Sequence, residues 1–452
     1  MACRIGRAGV CALTLELLLG VAATGGSATP VAFPLKASAN NRYLVDQNNA
    51  PFLLTGDSPQ AMIGNLSLDD AAYFIADRAQ YGINALWVNL LCDAYTACNS
   101  DGTTYDGIAP FTNPGDLSTP NPAYFDRAAK MIQLAANSGM VVLLDPAETG
   151  GWLDVLEANG VKKTRDYGRF LGRRFKNLSN IIWLSGNDFQ SWQNPSDNAL
   201  VCALAQGIRE TDPHPTQTIE LNYYVSASLD DRKWRKVGDL DAVYTYRPTY
   251  AEELAEYKRT DFQPTFLVEA NYEFEHNGGT DGGTTQNLRR QEYWTALSGT
   301  TGQLYGSHYS WTLTGDWKNN LDTIGVQQLS WMRQFFAARD WYDLVPDRHH
   351  QLLTQGYGHF SKSDPIPDDT YATVASAPDG GLALAYLPDI RKVTIDMTKF
   401  SGPVTARWFD PTNNMLQTIS GSPFPNSGNK RFTPPGANST GDTDWVLDLE
   451  VK

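Results

Sequence analysis

Apolar and polar positions fall into two textures along the chain. Up to about residue 338, short apolar runs bounded by polar residues alternate with segments of helical spacing. The runs cover residues 51–57, 83–91, 140–145, 181–184, 218–222, 242–246, 264–268 and 301–311, the last together with its top loop. Their lengths, and their content of Val, Ile, Leu and aromatic residues, predict strands buried on both faces, as in a parallel sheet. Between them, helical spacing predicts helices over 68–81, 122–139, 165–175, 197–211, 252–259, 287–299 and 321–338. Ser67 is a good N-cap for the first and Gly82 a good stop. Ahead of the alternation, residues 35–52 read as a hairpin turning at Gln47-Asn48-Asn49-Ala50.

Eight strand–helix alternations over about 300 residues predict a (β/α)8 TIM barrel. A doubly wound open sheet would want a glycine-rich phosphate loop after strand one, and Gly56-Asp57-Ser58-Pro59 is not one. From residue 348 the helical spacing disappears. Short β-type runs at 370–375, 381–387, 392–396, 403–409 and 444–449 alternate with Pro, Gly, Asn and Asp turns. This predicts a small antiparallel β-sandwich domain. The expected organisation is a leader over 1–28, a barrel over 29–347 and a β-sandwich over 348–452.

The leader rests on Arg4 and Arg7, a mostly apolar stretch over 10–23, and small residues around Ser27-Ala28. Glu16 is the one feature against a signal peptide, and a buried N-terminal helix is the alternative. No later run is long enough to span a membrane. The expected location is therefore outside the cytoplasm, secreted or periplasmic. Of the five cysteines, Cys3 and Cys11 would leave with the signal. Cys92 and Cys98 bracket a short polar stretch, and an export route permits a disulfide between them. Such a small loop stabilises by roughly 2–3 kcal/mol. Cys202 is then left as a buried thiol. With no Cys-x-x-Cys pair and no His near the cysteines, a zinc site is not expected.

Composition adds little. A charged fraction of 19% marks a globular chain, and a net charge of −14 argues against nucleic acid or an anionic membrane as partner. The 12 Trp and 21 Tyr suit sugar faces as well as cores.

The chemistry lies at the strand ends. Ile181-Ile182-Trp183-Leu184 runs into Ser185-Gly186-Asn187-Asp188, and Phe266-Leu267-Val268 runs into Glu269. Asp57 and Asp145 share the placement. An acid there also serves as a helix cap or a partner for Arg, but four such acids suggest one acidic cleft. Glycosidic cleavage needs a proton donor with a raised pKa and a second carboxylate for the anomeric carbon. Asp188 and Glu269 are the expected pair. Asn187 is the expected partner of a sugar hydroxyl, with loop hydrogen bonding as its bland alternative. Asn89, Asn222, Tyr246, His308 and Trp311 complete the expected pocket, together with Asp57 and Asp145. His308 alone is more often structural, and Trp311 serves equally as a sugar platform or as core. No metal or organic cofactor is required. The expected partner is a poly- or oligosaccharide, and oligomeric state is not readable.

Asn41-Arg42-Tyr43-Leu44-Val45-Asp46 and Pro51-Phe52-Leu53-Leu54-Thr55-Gly56-Asp57 resemble the opening of the apiosidase-like catalytic domain, represented by glycoside hydrolase family 140. Trp183-Leu184-Ser185-Gly186-Asn187-Asp188 and Glu269 resemble its two carboxylate positions. Trp408-Phe409-Asp410-Pro411, Phe432-Thr433-Pro434-Pro435-Gly436 and Asp444-Trp445-Val446-Leu447 resemble the collagen-binding-type β-domain often attached to it. The resemblance implies a barrel glycosidase acting on pectin side chains. It also implies Asp188 as general acid/base and Glu269 as nucleophile, in a retaining mechanism. Asp is one methylene shorter than the Glu usual after this strand, so carboxylate separation, and with it retention or inversion, stays open. The rival reading is a non-catalytic carbohydrate-binding or adhesion protein on a barrel scaffold. A peptidase is discounted, because neither His-Glu-x-x-His nor Gly-x-Ser-x-Gly occurs.

Overall fold

The structure is a computed structural model. It describes residues 30–212, 216–222, 226–277, 279 and 282–451. The expected signal peptide lies outside the described residues. Ala32–Lys452 is one compact unit.

Eight parallel strands build the barrel: β1 (Leu54–Asp57), β2 (Ala85–Asn89), β3 (Val141–Asp145), β4 (Ile181–Phe189), β5 (Thr216–Leu221), β6 (Asp241–Tyr244), β7 (Thr265–Glu269) and β8 (Gly302–Tyr305). The longer helices between and after them are α1 (Leu68–Gln80), α2 (Pro122–Asn137), α3 (Thr149–Phe175), α4 (Pro195–Arg209), α5 (Thr249–Tyr257), α6 (Thr285–Ala296) and α7 (Ile324–Ala337). The ladder runs β5-β4-β3-β2-β1-β8-β7-β6. A two-residue strand, Ser226–Ala227, pairs antiparallel with β6 at its edge. Ser228 bridges the remaining gap. Its hydroxyl accepts the Ala242 N–H at 2.9 Å and donates to the Ile219 carbonyl at 2.5 Å, tying β6 to β5. β2 and β3 are buried along their whole length, as their uninterrupted apolar runs require.

Caps set the helix starts. Ser67 accepts from the Asp70 N–H, Asn121 and Asn194 each precede a proline at the first turn, and Thr323 accepts from Val326. α3 is longer than the spacing predicts. Its first half runs from Thr149 to a break at Gly160, where φ is 71°. Gly150 and Gly151 weaken the helical signal there. Both are required: a Cβ at Gly150 would lie 2.2 Å from the Tyr95 ring, and one at Gly151 would lie 2.0 Å from the Asp93 carboxylate.

The predicted hairpin is present as Leu44–Val45 paired with Pro51–Phe52. It sits below β8, where the Leu44 N–H reaches the Thr301 hydroxyl at 2.9 Å.

The C-terminal region is antiparallel, in a six-stranded and a three-stranded sheet. It packs directly on α6 and α7. Tyr293 stacks on Tyr386 with centroids 5.1 Å apart, and Phe335 on Phe409 at 4.3 Å. One continuous apolar core holds barrel residues together with Tyr386, Phe409 and Val446. Arg289 of α6, 1% exposed, meets the fully buried Asp444 through two 2.8 Å bonds, and its other donors reach Asp442 and Gln328. Arg290 donates to the Ile366 and Pro367 carbonyls at 2.6 Å. Among the described residues, no helix is long and apolar enough to cross a membrane.

Candidate active site

The site begins with a distortion in β4. Ser185 is level with Ile219 of β5, and Phe189 with Leu221. Four steps of β4 therefore oppose two of β5, so Gly186, Asn187 and Asp188 bulge from the ladder. All three adopt left-handed backbone, with φ of 120°, 70° and 60°. Gly186 has no choice, since a Cβ there would lie 2.1 Å from the Glu220 carbonyl. Asn and Asp tolerate the region, yet each such non-glycine residue costs of order 1–3 kcal/mol and persists only where its surroundings hold it. Two side chains do so. The Thr149 hydroxyl lies 2.7 Å from the Gly186 carbonyl and 3.1 Å from that of Asn187. Glu220, fully buried on β5, accepts the Asp188 N–H at 2.5 Å.

The Asp188 carboxyl receives the Tyr95 hydroxyl on Oδ2 at 2.5 Å. Burial pushes its pKa up, against the pull of that bond and of one from Tyr244. Tyr95 comes from the loop closed by the Cys92–Cys98 disulfide, which the structure contains as expected. Glu148 pins this loop to the barrel. Its carboxyl accepts from the Asp93 N–H and the Asn89 amide, each at 2.7 Å, and from the Thr96 hydroxyl. Burial lifts Glu148 to about 8, with the Thr96 and Asp93 bonds pulling down.

Glu269, at the end of β7, is set differently. The Tyr246 hydroxyl donates to Oε1 at 2.9 Å and the Tyr272 hydroxyl to Oε2 at 3.2 Å. Tyr244 lies 2.8 Å from Tyr246 and extends the chain of phenols. Burial first, then the Asp188 charge, pushes Glu269 up to about 8, and the tyrosines pull it back. The Asp188 and Glu269 charges likewise push the buried Glu220 up, so these carboxyls titrate together rather than singly.

Both acids open on one cavity of about 730 Å3, within the range of small-ligand clefts. Asn187, Asn222, Tyr246 and Trp311 line it, as expected from the sequence. The Asn187 side-chain Oδ1 is buried and has no hydrogen-bond partner among the described residues. Trp311 is held by a 2.5 Å bond from its indole N–H to Glu275.

Four expected contacts lie elsewhere. Asp57 points at the helix layer, paired with Arg78 of α1 at 3.1 Å and with Ser310 at 2.8 Å. Asp145 is fully buried and takes the Ala147 N–H at 3.0 Å. Asn89 is fully buried against Glu148. None of these three lines the cavity. His308 stands outside it, half exposed, 3.2 Å from Glu275. Conversely, sequence reasoning missed Glu220, Tyr95, Tyr272 and Glu275. Only Glu220 carried a signal, as a carboxylate inside the apolar run Thr218-Ile219-Glu220-Leu221.

The model of the apiosidase-like catalytic domain matches residues 38–343. That of the collagen-binding domain of a collagenase matches residues 364–450. A solved glycoside hydrolase superposes with a TM-score of 0.78 at 20% identity, over 93% of this chain and 97% of that one. A family 5 glycoside hydrolase from Bacteroides vulgatus gives 0.78 at 21% identity, over 92% and 93%. A second Bacteroides vulgatus glycoside hydrolase gives 0.63 at 12% identity, over 94% and 83%. These structures share the fold with this chain. No curated protein sequence matches it.

Proposed function

The chain belongs to the apiosidase-like family of catalytic domains and is a glycoside hydrolase; on that premise we propose that it cleaves a poly- or oligosaccharide with Asp188 as general acid/base and Glu269 as nucleophile. The observation that carries this reading is that the two acids open on one cavity. Glu269 is gripped on both oxygens by phenol donors, which favour its ionised form. Asp188, raised by burial, is assigned the proton that passes to the leaving oxygen, and Glu269, which burial holds up at about 8, becomes the nucleophile as it ionises with rising pH.

In the first step Glu269 attacks the anomeric carbon, the glycosidic C–O bond breaks, and Asp188 gives its proton to the leaving oxygen. In the second step Asp188, now ionised, takes a proton from water as that water displaces Glu269. The outcome is retention. Asn187, on the cavity wall, meets a sugar hydroxyl, and Trp311 offers a ring face. The family match supports apiose as the sugar released, and arabinofuranose or a similar pentose or furanose unit is the wider reading. The Cys92–Cys98 disulfide supports export to an oxidising compartment, secreted or periplasmic.

The test is product analysis on pectins, arabinans, galactans and apiosides, with Asp188→Asn and Glu269→Gln alongside. One defined sugar should be released, with the retained anomer formed first by NMR. Each variant should lose at least about 10³-fold in kcat, the scale of a missing catalytic group. Hydrolysis surviving either change would refute the assignment of that residue.

A further inference from the structure

We propose that Glu220 is a positioning residue, whose carboxyl holds the left-handed bulge that presents Asp188 to the glycosidic oxygen. The proposal rests on Asp188 being the acid/base group. Glu220 is fully buried and has no access to substrate, so it acts only through its neighbours. Its Oε2 accepts the Asp188 N–H at 2.5 Å, while Oε1 has no partner among the described residues. The carboxyl lies beside the bulge, at the point where β5 advances two residues against four of β4.

A paired β4 would use these backbone groups in the ladder. Here the Asp188 N–H is turned away from any strand partner, and the side chain of Glu220 supplies the acceptor that the neighbouring strand does not. Thr149 supplies the donor for the carbonyls of Gly186 and Asn187. With both in place, three consecutive residues stay at positive φ. Asp188 has a short side chain, so the position of its carboxyl follows its Cα closely. An acceptor that fixes the backbone there also fixes the proton donor.

The role predicts dependence on hydrogen-bond acceptance. Glu220→Gln keeps an amide oxygen for the Asp188 N–H and should stay within about threefold of the parent in kcat. Glu220→Leu offers no acceptor and should lose about 10²-fold, the scale of an ångström-sized misplacement. That loss should fall on glycosides with poor leaving groups. A nitrophenyl glycoside of the same sugar, which needs little proton donation, should be spared in the glycosylation step. Thr149→Val should show the same leaving-group dependence if the leucine variant fails to fold. In an Asp188→Asn background, Glu220→Leu should cost little more, because the group it positions is gone.

Equal losses on both leaving groups, or activity unchanged in Glu220→Leu, would overturn the role. So would Glu220→Gln behaving like Glu220→Leu. Hydrolysis that survives Asp188→Asn would instead overturn the acid/base assignment beneath it, which separates the two failures.

Discussion

The two tyrosines on Glu269 provide a quantitative handle on the site. Tyr246→Phe removes the 2.9 Å donor to Oε1 and leaves the ring in place. A hydrogen bond to a charged group contributes about 1.5–3 kcal/mol. At 1.36 kcal/mol per pKa unit, its loss raises the Glu269 pKa by about one to two units. The direction follows from what the phenol does: it stabilises the ionised carboxylate, so removing it favours protonation. Burial and the Asp188 charge already hold Glu269 up at about 8, and nothing in the variant offsets a further rise. The acid limb of kcat/KM, which reports ionisation of the pair in the free enzyme, should move to higher pH by that amount. Near pH 6 the variant should therefore lose about 10–100-fold, with the gap narrowing as pH rises. Tyr272→Phe, which removes the longer 3.2 Å bond, should shift the limb less. The assay is a pH–rate profile of kcat/KM on the substrate found by product analysis. An acid limb that stays put, or moves down, in Tyr246→Phe would refute the view that the phenol supports the ionised form.

Other outcomes follow from parts of the structure farther from the chemistry. Removing one partner of the buried Arg289–Asp444 pair, as in Asp444→Ala, should destabilise the chain by about 3–5 kcal/mol, and Arg289→Met with Asp444→Leu should recover much of this; denaturant midpoints read both, and an additive double variant would refute the coupling. Reduction of Cys92–Cys98, which are six residues apart, should cost about 2 kcal/mol and lower kcat through release of Tyr95; a kcat unmoved by reductant, after thiol titration confirms opening, would refute the link. Glu148 has a folded pKa of about 8 against an ordinary 4.5, so its contribution is complete below pH 4.5 and is lost as pH rises toward 8. The loss amounts to at most about 5 kcal/mol. Unfolding free energies at pH 5 and 8.5 should show the decline, and stability flat across that window would refute it.

The barrel was legible because its strands are nearly continuous apolar runs and its helices carry apolar stripes, two periods that are hard to confuse at these lengths. The strand ends were legible as a level, but not as a direction. Asp57, Asp145, Asp188 and Glu269 all end strands, yet Asp57 turns outward to Arg78 while Glu269 opens on the cavity. Register in the closed sheet decides which way a side chain points, and a bulge such as that at Asp188 resets it. Sequence periodicity does not carry a bulge. Nor does it carry partners brought from far along the chain: Tyr95 lies 93 residues before Asp188, inside a loop with no periodic signal. The glycines that open α3 lowered its helical signal for the sake of that same loop. The C-terminal sheets were readable from strand spacing. The arginines joining them to α6 were not, since a buried Arg reads as a surface residue until its partner is known.

The segment between Cys92 and Cys98 has a consequence for redesign. Its ends are fixed independently of what it carries, by the disulfide and by Glu148 beneath it. Only Asp93-Ala94-Tyr95-Thr96-Ala97 lies between the cysteines, and Tyr95 both lines the cavity and rests on Gly150. It is thus a cassette clamped at both ends, whose central side chain can be exchanged at the cost of its bond to Asp188 on β4. Libraries varied at residue 95, with compensating bulk at residue 150, would reshape the cleft beside the proton donor while leaving the opposite wall, with Glu269 and its phenols, as it stands.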